Sequence, residues 1–107
     1  MSLFQPDAKL FEQLGYEAYG EYTYFKRILD EAGKYLYFIN IIIDDADTIE
    51  KIEAHLWLRD GSVTVLRHLA NVETLPQWIE ASEKFFKDVY DLVGGVSHKE
   101  FNAQLMA

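Results

Sequence analysis

Three side chains on two predicted neighbouring strands, Glu53, His55 and His68, have the chemistry of a small polar site. The Asp60-Gly61 pair between these strands predicts a two-residue type I′ hairpin, since Asp-Gly tolerates two positive φ angles. That register pairs His55 with Leu66 and Glu53 with His68, which brings the three polar side chains to one face. Two imidazoles and a carboxylate could bind a divalent metal or provide acid–base catalysis. The alternative is a cross-strand Glu53–His68 pair without chemistry.

The other clusters of polar residues predict structure and not chemistry. Asp44, Asp45 and Asp47 offer hard oxygen ligands in one tight turn, but a calcium-binding EF-hand loop needs a longer alternation of ligands, a glycine and a distal Glu. Solvated turn residues are the favoured interpretation. No nucleophile elbow or Gly-rich phosphate loop is present, and Gly94-Gly95 is interpreted as a helix stop. These segments therefore predict no catalytic motif, and no cofactor is expected.

The composition predicts one globular domain, residues 1–107. Half of the 107 residues are hydrophobic and 15% are aromatic, which argues against disorder although the net charge is −8. An acidic chain is repelled by phosphate backbones, so direct nucleic-acid binding is not expected. There is no cysteine, no signal peptide and no apolar run of membrane-spanning length. A cytoplasmic protein without membrane contact is expected.

The element that organises the chain is the apolar run from Tyr35 to Ile43. Its β-branched and aromatic residues predict a strand, and both of its alternating faces are apolar except at Asn40. A strand of this kind is an interior strand of a sheet that is covered on both sides.

Three further strands and three helices are predicted around this strand. The strands span 21–29, 48–58 and 63–69, and Val63, Val65 and Leu69 are placed on the core face of the last one. A short helix is expected over 6–14. The longest helix begins at Thr74, where Thr74-Leu75-Pro76-Gln77 forms a capping box, and it ends at Gly94-Gly95. The tail, 96–107, is expected to form a short docking helix. The stretch 16–20 is not assigned.

The predicted fold class is α+β: a four-stranded antiparallel meander with the N-terminal and C-terminal helices packed on one face. The other face then has no cover within the chain, and an apolar sheet face without cover usually marks an interface. Because symmetric dimers are the commonest oligomers, homodimerisation through this face is expected. Trp57 is the predicted anchor. The interface candidates are Leu36, Phe38, Ile42, Trp57 and Leu66.

The segment Ala8-Lys9-Leu10-Phe11-Glu12-Gln13-Leu14-Gly15-Tyr16 precedes aromatic strands, an Asp-Gly hairpin and a helix. In this order the first two-thirds of the chain resembles small uncharacterised proteins of bacteriophages and mobile elements in Gram-positive bacteria. Those proteins often begin with a comparable helix that ends in Leu-Gly-Tyr or Leu-Gly-Phe. The group has no assigned chemistry, so the resemblance implies no catalytic residues.

Three hypotheses follow from the sequence. The first is a small cytoplasmic interaction or accessory protein, bacterial or phage-encoded, that binds itself or another protein through the uncovered sheet face. The second is an acidic inhibitor that imitates nucleic acid in the cleft of a DNA- or RNA-handling enzyme; it requires carboxylates concentrated on one surface, whereas Asp and Glu are spread along this chain. The third is metal-dependent or acid–base activity at Glu53, His55 and His68.

Overall fold

The fold is described from a computed structural model of the chain, over residues 4–68 and 72–106. These residues form an α+β fold with one antiparallel sheet, which confirms the predicted class and meander. The sheet has the order β1-β2-β3-β4-β5, so every strand pairs with its neighbours in sequence. The elements are α1 Ala8–Gln13, β1 Glu17–Ala18, β2 Thr23–Leu29, β3 Tyr35–Ile43, β4 Ile49–Trp57, β5 Val63–Arg67, α2 Leu75–Val93 and α3 His98–Leu105.

The sheet has five strands and not the predicted four, because the unassigned stretch after α1 contains β1. This strand has two residues, which pair Glu17 with Phe25 and Ala18 with Tyr24 of β2. Gly20, at a φ of 75°, lies in the turn that leads back to β2. Two residues are too few to show an alternating pattern, so sequence periodicity does not reveal such a strand.

The three hairpins that connect β2 to β5 close with the same backbone turn. In each, the N–H of the first residue donates to the carbonyl four residues later: Asp30 to Lys34 (2.9 Å), Asp44 to Thr48 (2.9 Å) and Leu58 to Ser62 (3.0 Å). The residue before the acceptor has a positive φ: Gly33 (83°), Asp47 (59°) and Gly61 (86°). This is the three-residue hairpin loop, in which a left-handed residue follows a type I turn.

At the last hairpin this turn changes the predicted strand pairing by one residue. A two-residue loop at Asp60-Gly61 would pair Leu58 with Val63, whereas the observed loop pairs Trp57 with Val63. Because side chains alternate between the faces of a strand, a shift of one residue moves every side chain of β5 to the opposite face. The predicted register of β5 was therefore wrong.

The changed register alters which residues of β5 are buried. Val63 and Val65 were predicted to lie on the core face, but they lie on the other face and are 48% and 47% exposed. Leu66 packs against the main core in their place. Leu69, predicted at the end of this strand, lies outside the described residues.

The first face of the sheet carries the main core. Tyr37, Ile39 and Ile41 of β3 point to this face and are fully buried. Burying an Ile side chain contributes about 1.5–3 kcal/mol. Helices α1 and α2 cover this face, and α2 begins at the predicted capping box of Thr74 and Gln77. The remaining members of the buried cluster are Phe11, Tyr16, Ile49, Ile52, Ala54, Leu56, Leu75, Trp78, Ile79, Phe86 and Tyr90.

The last helix, α3, packs on the second face of the sheet, which carries Phe38, Glu53 and Trp57. Phe101 of α3 forms a buried cluster there with Trp57 and Val96. Helices α1 and α2 share one face as predicted, but the expectation that the other face has no cover within the chain was wrong at this end of the sheet. The connection from α2 to α3 allows this crossing: Gly94 is left-handed at a φ of 68°, and a Cβ on Gly95 would overlap the Tyr90 ring.

None of the helices in the described ranges, 4–68 and 72–106, is both long enough and apolar enough to cross a membrane.

Candidate interaction surface

The three polar residues with predicted chemistry do not come together. Glu53 pairs with Arg67 across the strands and not with His68, because of the three-residue turn. Glu53 and His55 lie on the second face, where His55 Nε2 is 3.2 Å from Glu53 Oε1. His68 lies on the first face, with Nδ1 3.2 Å from Ser82 Oγ of α2. The predicted Glu53–His55–His68 cluster is therefore not formed.

The rest of the described structure offers no replacement for that cluster. Within residues 4–68 and 72–106, no group of three or more His, Asp or Glu residues is placed to hold a metal ion. Ser82, the partner of His68, is fully buried and ties β5 to α2. The carboxylate of Asp44, in the acidic turn, accepts hydrogen bonds from the N–H groups of Ala46 and Thr48. These contacts have a structural role.

Helix α3 covers only one end of the second face, at Trp57. The Trp57 ring is 8% exposed and lies 6.1 Å from the Phe101 ring, 5.0 Å from Tyr35 and 4.9 Å from His98. Trp57 was predicted as an interface anchor. It instead anchors the chain's own C-terminal helix.

We call the part of the second face outside this α3 cluster the open face; it carries Phe25, Ile42, His55, Val63 and Val65. These residues alternate with the core residues along β2, β3, β4 and β5. None of them belongs to the cluster of Trp57, Val96 and Phe101 or to the residues packed against it. The open face is therefore the uncovered side of the sheet within the described residues.

The predicted interface residues divide between these surfaces. Ile42 lies on the open face, and Phe38 lies at its border, packed against the α3 cluster. Trp57 lies beneath α3. Leu36 and Leu66 pack against the main core of the first face. Leu36 lies on the first face because the pairing of β2 with β3 shifts by one residue between Ile28 and Leu29, which disturbs the alternation of side chains between the two faces.

Aromatic rings run across the second face from strand to strand. Tyr19 and Phe25 have ring centroids 6.1 Å apart, and Phe25 and Phe38 are separated by 5.2 Å. Phe38 stacks on His55 at 4.7 Å with an interplanar angle of 12°. The Arg27 guanidinium lies 5.2 Å from the centre of the Phe25 ring. Aromatic pairs of this kind contribute about 0.5–1.5 kcal/mol each beyond their burial, so these side chains pack against one another along the open face.

Glu53 is the centre of a group of ionic contacts on this surface. Its side chain is nearly buried, and its carboxylate lies 3.2 Å from His55 Nε2, 3.4 Å from Arg67 Nε and 3.7 Å from Lys51 Nζ. A buried carboxylate without such partners would be strongly destabilising. Lys51 and Arg67 therefore neutralise a charge that the sheet has taken out of water.

The open face is not acidic, in contrast to the chain as a whole. The paired strand positions on the second face carry three cations, Arg27, Lys51 and Arg67, and two carboxylates, Glu17 and Glu53. The whole chain carries a net charge of −8. This surface therefore lacks the concentrated carboxylates that a mimic of nucleic acid requires.

A second polar contact group lies on the first face, beneath α2. The Tyr16 hydroxyl donates to Glu83 Oε2 at 3.0 Å, and Lys26 Nζ donates to the same oxygen at 3.1 Å. Burial raises the pKa of Tyr16 far above its ordinary value, and the Glu83 carboxylate raises it further. Tyr16 is only 2% exposed, so this group joins α2 to the sheet and does not form a site.

The sequence did not indicate Val63 and Val65 as surface residues. The signal that could have revealed them is Gly61, because one glycine after Arg59-Asp60 fits the three-residue loop as well as Asp60-Gly61 fits the two-residue loop. The two loops predict opposite faces for β5, and the hydrophobic pattern of Val63, Val65 and Leu66 does not choose between them.

Comparisons of the chain with protein-family models, with curated proteins and with solved structures find no match.

Proposed function

We propose that this chain is a small protein-interaction domain that self-associates through the open face. The observation that supports the proposal is the half exposure of Val63 and Val65 on the side of the sheet that α3 leaves uncovered. Exposed apolar side chains grouped on one surface and surrounded by polar residues are typical of interaction sites. The function is therefore binding, and the surface is the side of the sheet that α3 leaves free.

The charges on the open face are compatible with burial in an interface. Lys51 and Arg67 already contact the Glu53 carboxylate, and Arg27 already lies over the Phe25 and Tyr35 rings. Burial is strongly unfavourable for a charge without a partner and much less so for one that has its partner in place. A partner can therefore cover this surface without leaving an isolated charge.

A second copy of the chain is the partner that requires the fewest further components. Closed two-fold dimers are the commonest oligomers, and a two-fold interface requires only that one surface complement itself. The open face meets this requirement at Val63 and Val65, which are apolar, β-branched and adjacent.

The experiment is light scattering over a concentration series, on the wild-type chain and on Val63→Lys. We expect the wild-type mass to rise from one copy to two, and the dissociation constant of Val63→Lys to be about tenfold higher or more, because a cation is introduced at the contact. Leu92→Lys is the matched control, because Leu92 is 85% exposed near the end of α2 and receives the same change of charge. A wild-type chain that stays monomeric at all concentrations would contradict the proposal, as would identical curves for all three proteins.

A further inference from the structure

The outer edge of β5 presents backbone groups that have no partner among the described residues. Two hydrogen bonds, from Leu58 N–H to the Ser62 carbonyl and from His68 N–H to the Ile52 carbonyl, show which residues of β5 turn their backbone groups towards β4. In an antiparallel pair, every second residue turns its N–H and C=O towards the neighbouring strand. Thr64 and Leu66 therefore bond to β4.

The same alternation points the N–H and C=O groups of Val63, Val65 and Arg67 away from β4. No strand lies beyond β5 in the described sheet, and no described residue outside the sheet hydrogen-bonds to these groups. The other edge strand, β1, is protected by its length of two residues. The β5 edge has five residues, with no proline, lysine or bulge to prevent pairing.

We propose that two copies of the chain pair antiparallel through β5, with the two-fold axis at Val65. Val65 then lies opposite Val65 of the second copy, and Val63 lies opposite Arg67. Each of these pairs exchanges an N–H···O bond in both directions, since these are the residues whose backbone groups point outward. The two sheets become one continuous sheet, and the two open faces become one surface.

Neighbouring registers pair fewer residues of β5. An axis at Thr64 would place Arg67 opposite Gly61, in the turn of the other copy, and an axis at Leu66 would leave Val63 and Thr64 with no β5 residue opposite them. An axis at Arg67 would place two guanidinium groups directly opposite each other, and like charges at such positions are destabilising. An axis at Val63 would place Val65 opposite Gly61, in the turn of the other copy, so that fewer residues could pair. The axis at Val65 places a β-branched pair at the centre and separates the like charges.

This inference rests on the proposed function for its partner, a second copy of the chain, and it moves the contact from the side chains of the open face to the backbone edge beside Val63 and Val65. It goes beyond the packing of two open faces against each other. In strand pairing the backbone of β5 makes the contact, whereas in face packing the side chains of the central strands, such as Ile42, do so. The two arrangements therefore respond to different substitutions.

The first test uses Val65→Pro, which removes the outward N–H of residue 65 but no hydrogen bond to β4. Proline is tolerated at such a position of an edge strand. We expect Val65→Pro to keep the wild-type circular dichroism spectrum and to remain a monomer at concentrations where the wild type and Val65→Thr, which retains the N–H, are dimers. A folded Val65→Pro that dimerises as the wild type does would overturn the inference.

A second variant separates this inference from the proposed function. Ile42→Glu adds a carboxylate to the open face opposite Lys51 and leaves the β5 edge unchanged. Under strand pairing, Ile42→Glu is still a dimer. If Ile42→Glu is a monomer while Val65→Pro is a dimer, the open face mediates self-association without the edge: the proposed function stands and the strand pairing is wrong. If the wild type never dimerises, both are wrong.

Disulfide cross-linking tests the register without depending on Val65→Pro. The chain has no cysteine, so a single introduced thiol reports one contact. The two Cα atoms of residue 65 would lie about 5.5 Å apart, within the range that a disulfide spans. Those of residue 63 would be separated by about 13 Å, four residues at roughly 3.3 Å each. We expect Val65→Cys, and not Val63→Cys, to give a covalent dimer on mild oxidation; the reverse result would overturn the register.

Discussion

The N–H of Val96 donates a 2.9 Å hydrogen bond to the carbonyl of Trp57, which joins the start of the C-terminal segment to the end of β4. The paired residues of β3 and β4 end at Tyr37 and Leu56, so the Val96 bond satisfies a backbone group beyond the paired region. This contact guides the chain from the first face to the second and places α3 over Trp57. It thereby sets the border of the open face.

Phe101→Ala should reduce the free energy of unfolding by about 3 kcal/mol, because a buried aromatic ring is replaced by a cavity beside Trp57. Urea denaturation followed by circular dichroism measures the change. Leu105→Ala on the same helix is the control, since Leu105 is largely exposed and its truncation should change stability by about 0.5 kcal/mol or less. Equal effects of the two substitutions would indicate that α3 does not pack on the second face.

The sequence predicted the elements whose signals are local. The strand Tyr35–Ile43 was predicted with its observed bounds, and the start of α2 at Thr74 was predicted from its capping box. A short helix in the tail, 96–107, was also predicted. In each case neighbouring residues determine the conformation, through alternation or through a side chain that caps the backbone.

The features that the sequence did not predict depend on distant contacts or on nearly equal local alternatives. The Asp-Gly pair is compatible with a two-residue loop and with a three-residue loop. This difference of one residue in loop length decides whether His68 lies beside Glu53 or beside Ser82. The face chosen by α3 depends on Trp57, which is far from Phe101 in sequence. The candidate surface changed for these two reasons: Val63 and Val65 moved onto it, and Trp57 was covered.

The stability of the fold should fall at alkaline pH through Tyr16. Its folded-state pKa is raised by burial and by Glu83, so its contribution is fully present below the unfolded pKa of about 10 and is lost as pH rises towards the folded-state value. The free energy of unfolding should decrease by up to about 1.4 kcal/mol per pH unit above that point from this residue.

Tyr16→Phe tests this dependence. At pH 8 the variant should be less stable by about 1 kcal/mol, since the hydrogen bond to Glu83 is lost, and the difference should shrink or reverse by pH 11 in urea denaturation. Tyr19→Phe is the control, because Tyr19 is largely exposed and loss of its hydroxyl should change the free energy of unfolding by about 0.5 kcal/mol or less at pH 8. A constant difference for Tyr16→Phe would show that the Tyr16 hydroxyl ionises equally in the folded and unfolded chains.

Glu53→Gln should reduce the free energy of unfolding at pH 7 by about 1–3 kcal/mol. The substitution removes the charge that compensates Lys51 and Arg67 while keeping the shape of the side chain. The exposed Glu50 provides the matched control, and Glu50→Gln should change stability by about 0.5 kcal/mol or less. A Glu53→Gln chain as stable as the wild type would mean that these contacts do not offset the burial of the carboxylate.

The most direct test of self-association through the β5 edge is residue-resolved amide hydrogen exchange of the wild-type chain, measured by NMR below and above the dimerisation concentration. The account predicts that Thr64 and Leu66 are protected at both concentrations, because their N–H groups bond to β4. Val63, Val65 and Arg67 should be protected only at the higher concentration, when a second β5 supplies acceptors. Exchange at Val63, Val65 and Arg67 that is equally fast at both concentrations, in a sample that light scattering shows to be dimeric, would contradict it.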